Sequence, residues 1–179
     1  MAPSLTWSES ERIREAAPQA ALRSNFIVGY PGETESDHDE LLAFLEAAQL
    51  DWCGFFAYSE EPGTHAAGLS GLVPRRLVGE RLSEASSLQD RITAERRDSL
   101  VGSSLRVLVD EPGIARSHRE APEIDGIIEV PVALEAGEFH DVRVVEAAAP
   151  ISWRSRRDRC ASRWACPRTP RRHSGPPRC

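Results

Sequence analysis

The sequence has 179 residues, of which 40% are hydrophobic, so it can form one domain or two small ones with a buried core. It contains no run of about 18 apolar residues, which excludes a transmembrane helix. It also shows no basic region followed by an apolar one at the N-terminus, which excludes a secretory signal. We therefore expect a cytoplasmic protein.

The net charge of −6 is unevenly distributed along the chain. Residues 1–150 contain 13 Arg and 27 acidic residues, whereas residues 151–179 contain nine Arg and one acidic residue, Asp158. The chain has no lysine at all. An acidic body favours a basic partner over the backbone of a nucleic acid.

The N-terminal part predicts alternating helices and strands. Residues 8–17 are typical of a short helix that Pro18 ends, and residues 22–29 are typical of a strand. A longer helix over 35–49 carries an apolar stripe at helical spacing and acidic residues in its first turns, where the helix dipole favours them. His38 lies among these acids, and we expect it to be a solvated surface histidine.

Between that strand and that helix lies Asn25–Asp37, NFIVGYPGETESD, the most informative stretch of the chain. Pro31 and Gly32 suit a tight turn, and Thr34 with Asp37 suits a capping box. A phosphate-binding loop is excluded because Glu33 stands where a lysine is needed, and the G-x-G-x-x-G of dinucleotide sites is absent. An ordinary strand–turn–helix connection stays open as an alternative to a ligand site.

Residues 52–58 predict the next strand, with Gly54, Phe56 and Tyr58 on one face. A long loop rich in Gly and Pro follows over 59–74. A helix then begins at Pro74 and extends to about Asp98, because apolar residues recur on one face of it. These are Val78, Leu82, Ala85, Leu88 and Ile92.

From Leu100 the periodicity changes to short strands separated by turn residues, which predicts a small β-barrel. The strands are expected over 105–110, 114–118, 124–130 and 141–146. Residues 99–150 hold four Arg and ten acidic residues, with Phe139 as the only aromatic residue. Barrels that bind oligonucleotides use a positive groove and stacking aromatics, so this composition favours a basic protein over RNA.

The four cysteines do not form a recognisable metal motif. Their spacing matches neither zinc pairs nor the C-x-x-x-C-x-x-C that holds an iron–sulfur cluster, and Cys53 lies in an apolar strand. We therefore predict no metal ligands and no catalytic residue in this chain. Residues 151–179 show no hydrophobic period, so we expect disorder or out-of-frame translation there, with a basic nucleic-acid-binding arm as the alternative.

Three segments, taken in order, resemble one known family. FIVGYPGETESD (26–37) resembles the fifth barrel strand and following turn of the radical-SAM methylthiotransferases, and FFAYSEEPGTHAA (55–67) resembles their sixth strand and its loop. Arg116-Ser117 and Ala121–Gly126 resemble the TRAM domain of the RimO branch, which methylthiolates an aspartate of ribosomal protein S-twelve. The resemblance covers about residues 10–148. It does not include the family's N-terminal domain or the first four barrel strands.

The resemblance implies an α/β unit over 1–98, formed from the last strands and helices of a radical-SAM barrel, and a TRAM barrel over 99–150. It implies S-adenosylmethionine and [4Fe–4S] clusters as the cofactors of the full-length family. By the resemblance, Ile27, Gly29, Phe56 and Tyr58 contact S-adenosylmethionine, although all but the glycine equally suit a barrel core.

The resemblance further implies substrate contacts at Arg116, Glu123 and Asp125, and ribosomal protein S-twelve as the partner. Because the cluster-binding cysteines are absent from the chain, we expect it to be inactive alone. Glu60 and Glu61 depart from the family, whose members often carry a basic residue there. Two alternatives stay open: a non-enzymatic TRAM module that binds a basic protein or RNA, and part of a tRNA methylthiotransferase.

Overall fold

The computed structural model describes residues 7–121, 125–147 and 161–165. Three α-helices, a short 3-10 helix and two strands form the first part of the fold, and five strands form the second. The first part consists of α1 Trp7–Ala16, β1 Arg23–Val28, α2 Glu35–Ala48, β2 Trp52–Ala57, the 3-10 helix Ala66–Gly68 and α3 Arg75–Asp98. The second consists of β3 Ser104–Glu111, β4 Ile114–Arg116, β5 Ile127–Glu129, β6 Phe139–Glu146 and β7 Ala161–Ala165.

The first part is a β–α–β–α unit in which β1 and β2 pair in parallel from Arg23↔Trp52 to Val28↔Ala57. Helix α2 begins with the predicted capping box, in which Thr34 Oγ1 accepts from the Asp37 amide and Asp37 accepts from the Thr34 amide. The predicted apolar stripes of α2 and α3 meet in a core around Leu45, Ala85 and Ile92. The helices therefore cover one face of the two-stranded sheet.

His38 corrects one expectation about this unit. It is not solvated: the residue is 2% exposed, and its Nε2 lies 3.0 Å from Glu84 Oε2. Its neighbour Asp37 bonds to Thr34 at the start of α2, whereas His38 turns toward α3. The partner lies 46 residues along the chain, so local sequence gave no sign of it.

The second part is a closed barrel with the strand order β3-β4-β5-β7-β6. Alternate residues of β3 and β6 point inward, as the period-2 pattern predicts. Among the residues whose side chains are described, the buried core is aliphatic: Leu105, Val107, Val109, Ala115, Ile128, Val130, Val142 and Val144. The structure thus confirms an α/β unit followed by a small β-barrel.

Strand β7 lies within the segment 151–179, for which the sequence predicts no folded element. Its backbone pairs in parallel with β5 and antiparallel with β6, so it closes the barrel. The prediction is therefore wrong for residues 161–165. A strand placed between two existing strands can form through backbone hydrogen bonds without the apolar alternation that sequence analysis requires.

Among the helices of these described ranges, none combines the length and apolar character needed to cross a bilayer.

Candidate functional site

The carboxyl ends of β1 and β2 lie at the same edge of the sheet, because the two strands are parallel. Ile27 and Phe56 are register partners near that edge and share the sheet face opposite the helices. Ile27 is 61% exposed and Phe56 is 55% exposed. On the other face, Phe26 and Phe55 stack with ring centroids 5.7 Å apart, and Phe26 also meets Phe44 of α2. The large apolar side chains of Ile27 and Phe56 are therefore exposed to solvent at this edge.

The turn after β1 is held by a carboxylate from within the chain. Glu33 Oε2 accepts hydrogen bonds from the backbone amides of Gly29 at 2.8 Å and Tyr30 at 3.3 Å. These donors are the kind that binds anions in other turns. Because Glu33 already occupies them, the turn offers no phosphate site, which agrees with the exclusion made from sequence.

Arg81 of α3 secures Glu33 in this position. The side chain of Arg81 is 3% exposed and donates to Glu33 Oε1 at 2.7 Å and to Glu35 Oε2 at 2.9 Å. Burial by itself would lower the pKa of Arg81, but the hydrogen bonds to Glu35 and Glu33 raise it overall. Arg81 therefore stays charged and ties the turn to the helix behind it.

Close packing against α3 also fixes Gly29. Gly29 has φ +83°, and a Cβ built on it would lie 2.5 Å from Val78 Cγ2. A side chain at this position would be strained by its backbone conformation and would clash with the helix. Gly32 donates to the carbonyl of Gly71 at 2.8 Å, so the loop after β2 returns to the same turn.

Two tyrosines lie beside the exposed pair. The rings of Tyr30 and Tyr58 meet edge to face with centroids 5.5 Å apart, and the Tyr58 amide donates to the carbonyl of Val28 at 2.8 Å. The buried Tyr58 hydroxyl has no hydrogen-bond partner among the residues described. Desolvation, followed by the charge of Glu60, raises its pKa, so it stays a neutral hydroxyl whose hydrogen-bonding capacity is unused among the described residues.

The structure thus brings together all four residues for which cofactor contacts are predicted: Ile27, Gly29, Phe56 and Tyr58. Sequence analysis missed two further residues of this site, Tyr30 and Arg81. For Arg81 a signal exists, because it lies in phase with Val78 and Ala85 on the apolar stripe of α3. A charged residue on a packing stripe needs a buried partner.

An apolar surface beside an unpaired hydroxyl fits an adenine ring, whereas the described residues do not fit an iron–sulfur cluster. Cys53 is the only cysteine whose surroundings are described, and burial raises its pKa to about 12, so it is not a thiolate ligand at neutral pH. Over the described ranges, no three His, Cys, Asp or Glu side chains are grouped as a metal ion requires.

The predicted substrate residues lie in the barrel part of the chain. Arg116 pairs with Asp110 at 3.1 Å and remains partly exposed. Asp125 is buried, forms an ion pair with Arg23 and accepts from the Ala121 amide at 2.7 Å. Glu123 lies outside the described residues.

Asp125 lies at the opposite end of the strands from the four predicted cofactor residues. Arg23, the partner of Asp125, begins β1, whereas Ile27 and Gly29 lie at the end of that strand. Six strand residues separate these edges by roughly 17 Å at about 3.3 Å per residue. Asp125 therefore serves the joint between the two parts of the chain and does not face the exposed pair.

Known proteins are similar to this chain in sequence. The family model described as the TRAM domain matches residues 101–150. This range contains β3 to β6 of the barrel.

Curated relatives match a larger part of the chain. Proteins named ribosomal protein uS12 methylthiotransferase RimO are similar to it in Akkermansia muciniphila, with 43% identity over 137 residues, and in Chromobacterium violaceum, with 42% over 154 residues. Another, from Saccharopolyspora erythraea, is 48% identical over 120 residues. These matches cover 76%, 82% and 65% of this chain but 30%, 35% and 25% of the relatives. The chain thus spans about a third or less of each relative.

Proposed function

The chain belongs to the RimO-type methylthiotransferases, and we propose that it forms part of an enzyme that methylthiolates an aspartate of ribosomal protein uS12. In this proposal it contributes the TRAM domain and the carboxyl ends of β1 and β2, which contact S-adenosylmethionine. The observation that carries this proposal is the exposed pair Ile27 and Phe56 beside a turn that is already held in shape. Such a surface suits the adenine of the cofactor, because apolar area with a few fixed polar groups is the usual character of ligand sites.

Each residue of the site has a role in this proposal. Ile27 and Phe56 offer the apolar surface on which the adenine lies, and the Tyr58 hydroxyl offers a hydrogen bond. Gly29 permits the close approach of the turn to α3, while Glu33 and Arg81 keep that turn in place. When bound, S-adenosylmethionine and a [4Fe–4S] cluster supply the radical chemistry of the family.

We propose that this chain alone assembles no cluster and is inactive. The support is chemical: Cys53 is a buried thiol with a raised pKa, and the chain's cysteine spacing lacks the cluster motif. In this proposal the cluster ligands come from the remainder of the enzyme, beyond the third of the relatives that this chain matches.

The charge of the TRAM part supports a basic protein as the partner. Residues 99–150 contain ten acidic residues against four Arg. A phosphate backbone would be repelled by this balance, whereas a ribosomal protein rich in Lys and Arg would be attracted. This supports uS12 over transfer RNA.

A chimera tests the proposal directly. The matching third of the Akkermansia relative is replaced by residues 7–165 of this chain, which include β7 and so keep the barrel closed. The clusters are reconstituted anaerobically, and methylthio-aspartate in uS12 is measured by mass spectrometry. We expect modification at a rate within about tenfold of the intact relative, since 43% identity preserves the fold of the replaced part.

Two aspartate variants of the chimera locate the site. Ile27→Asp should lose cofactor binding, because a charge replaces apolar contact area, while Ile13→Asp on the exposed side of α1 should not. A chimera that holds its clusters and S-adenosylmethionine but leaves uS12 unmodified would refute the substrate assignment. Modification of tRNA by that chimera would establish the tRNA branch instead.

A further inference from the structure

A buried carboxylate lies where the two parts of the chain meet. Asp51 immediately precedes β2 and is 2% exposed. Its Oδ2 accepts from the Leu22 amide at 2.8 Å, and its Oδ1 accepts from Arg96 Nε of α3 at 3.0 Å. The carbonyl of Asp51 accepts from Thr93 Oγ1 at 3.0 Å. One residue thus ties the start of both strands to the last turns of α3.

The same carboxylate reaches into the barrel part. Asp51 Oδ1 also accepts from a terminal nitrogen of Arg119, whose side chain is almost fully buried. The carbonyl of Arg119 accepts in return from Trp52 Nε1 at 3.3 Å. Asp51 and Trp52 therefore hold both ends of Arg119, through its guanidinium and its backbone.

Hydrogen bonds within the segment 117–120 hold it in shape around Arg119. Glu120 accepts from the amide and hydroxyl of Ser117 at 2.9 and 2.6 Å, and Ser117 Oγ accepts from the Arg119 amide at 3.1 Å. Two contacts flank this segment: the ion pair of Arg23 with Asp125, and His118 Nε2 at 2.8 Å from the carbonyl of Gln19.

Directional contacts of this kind fix an orientation, whereas a patch of aliphatic side chains would tolerate sliding. Removing one partner of a buried pair leaves the other charge desolvated and uncompensated. Even a small displacement of the barrel would therefore raise the free energy of the folded chain. The joint also lies at the amino edge of the sheet, on the opposite side from the exposed pair Ile27 and Phe56.

We infer that Asp51 is a positioning residue that locks the TRAM barrel to the amino edge of the sheet through Arg119. This inference rests on the proposed function for its consequence. A substrate held by the locked barrel and reacting at the carboxyl edge must span the length of a strand, roughly 17 Å. A folded protein or a long peptide meets that condition and a small metabolite does not.

Hydrogen exchange on the full chain, without cofactor or substrate, tests the lock. The variants are Asp51→Asn and Arg119→Met, and the matched control is Arg91→Met, which removes an exposed pair with Glu46. Arg119→Met leaves the contacts of Asp51 with Arg96 and Leu22 in place, so it reports on the joint even if Asp51→Asn unfolds the first part.

We expect peptides over 117–121 and 19–24 to exchange on the order of 100-fold faster in Arg119→Met, because the joint loses a buried hydrogen bond between charged groups. Peptides from β3 and β6 should stay within about twofold of the wild type, as should all peptides of Arg91→Met. Asp51→Asn should accelerate the same two segments.

Two results would overturn the lock. In the first, Arg119→Met leaves 117–121 exchanging at the wild-type rate. In the second, β3 and β6 lose protection together with 117–121, which would mean that Arg119 only supports the barrel fold. An inactive chimera combined with the expected exchange pattern would refute the proposed function and leave the lock standing.

Discussion

The sheet of β1 and β2 and the barrel of β3–β7 bury their apolar residues in different ways. Each barrel strand has two neighbours, and the described side chains that point inward form a buried aliphatic cluster. Within the described ranges, β1 and β2 pair only with each other, and helices cover one of their faces. The barrel therefore leaves no strand unpaired. In the described sheet, by contrast, one apolar face is uncovered, and each strand lacks a neighbour on its outer side. Such edges and faces call for further strands or a ligand.

The largest effect is expected at Arg81, on which the shape of the open edge depends. Arg81→Met leaves Glu33 without its buried cation and should destabilise the first part by about 3–5 kcal/mol. Urea unfolding followed through the exchange of β1 amides measures this. Arg91→Met is the control, because its exposed pair should contribute at most about 1 kcal/mol. Equal losses of stability in both variants would show that the ion pairs of Arg81 do not hold the turn in place.

Isoleucine truncations compare the two regions directly. Ile128→Ala empties part of the barrel core, where the side chain is 1% exposed, and should cost about 2–5 kcal/mol. Ile27→Ala should change stability by less than about 0.5 kcal/mol, because that side chain is already in solvent. Calorimetry of both variants measures these losses of stability. A loss for Ile27→Ala comparable to that for Ile128→Ala would mean that the sheet face carrying Ile27 is covered.

Gly29→Ala tests the approach of the turn to α3. The positive φ and the contact with Val78 should together destabilise the first part by about 1–3 kcal/mol. Gly63→Ala is the matched control, since Gly63 also has a positive φ, at +86°, but no atom within 4 Å of the added Cβ. The excess cost at Gly29 is the clash, and adding Val78→Ala should recover it. No recovery would refute the clash.

A smaller loss of stability than at Gly29 is expected at the start of α2. Thr34→Ala removes the N-cap and should cost about 1 kcal/mol. The side-chain and backbone hydrogen bonds from Thr34 lower the pKa of Asp37 below 3.8. The contribution of the Asp37 carboxylate to folding stability is thus complete above pH 3.8. It is lost as the pH falls through the lower pKa that this group has in the folded state. An NMR titration should show the Asp37 pKa rising in Thr34→Ala, and an unchanged pKa would place the cause elsewhere.

Elements with a clear hydrophobic period could be predicted from sequence alone. The helices and β1, β2, β3 and β6 lie within about two residues of their expected bounds, because the period is a local property of the chain. The capping box followed in the same way from Thr34 and Asp37. Strand β7 could not be predicted, because its pairing depends on β5 and β6 and not on its own pattern.

The residues of the candidate site could be proposed from sequence, whereas the exposure of their face could not. Ile27 and Phe56 suit a core or a ligand site equally well in sequence, and the structure adds that both side chains are exposed. Long-range pairs escaped sequence analysis altogether: Glu33 with Arg81 lies 48 residues apart, and Asp51 with Arg119 lies 68 residues apart. Contacts at such separations are fixed by how elements pack, which no local pattern records.

The contrast between the two regions is tested most directly by native-state hydrogen exchange of the chain alone and within the chimera. We predict that β3 and β6 open with a higher free energy than β1 and β2 in the isolated chain. Joining the remainder of the relative should raise protection in β1 and β2 and leave β3 and β6 unchanged. Equal protection of both regions in the isolated chain, with no gain at β1 and β2 in the chimera, would contradict the account.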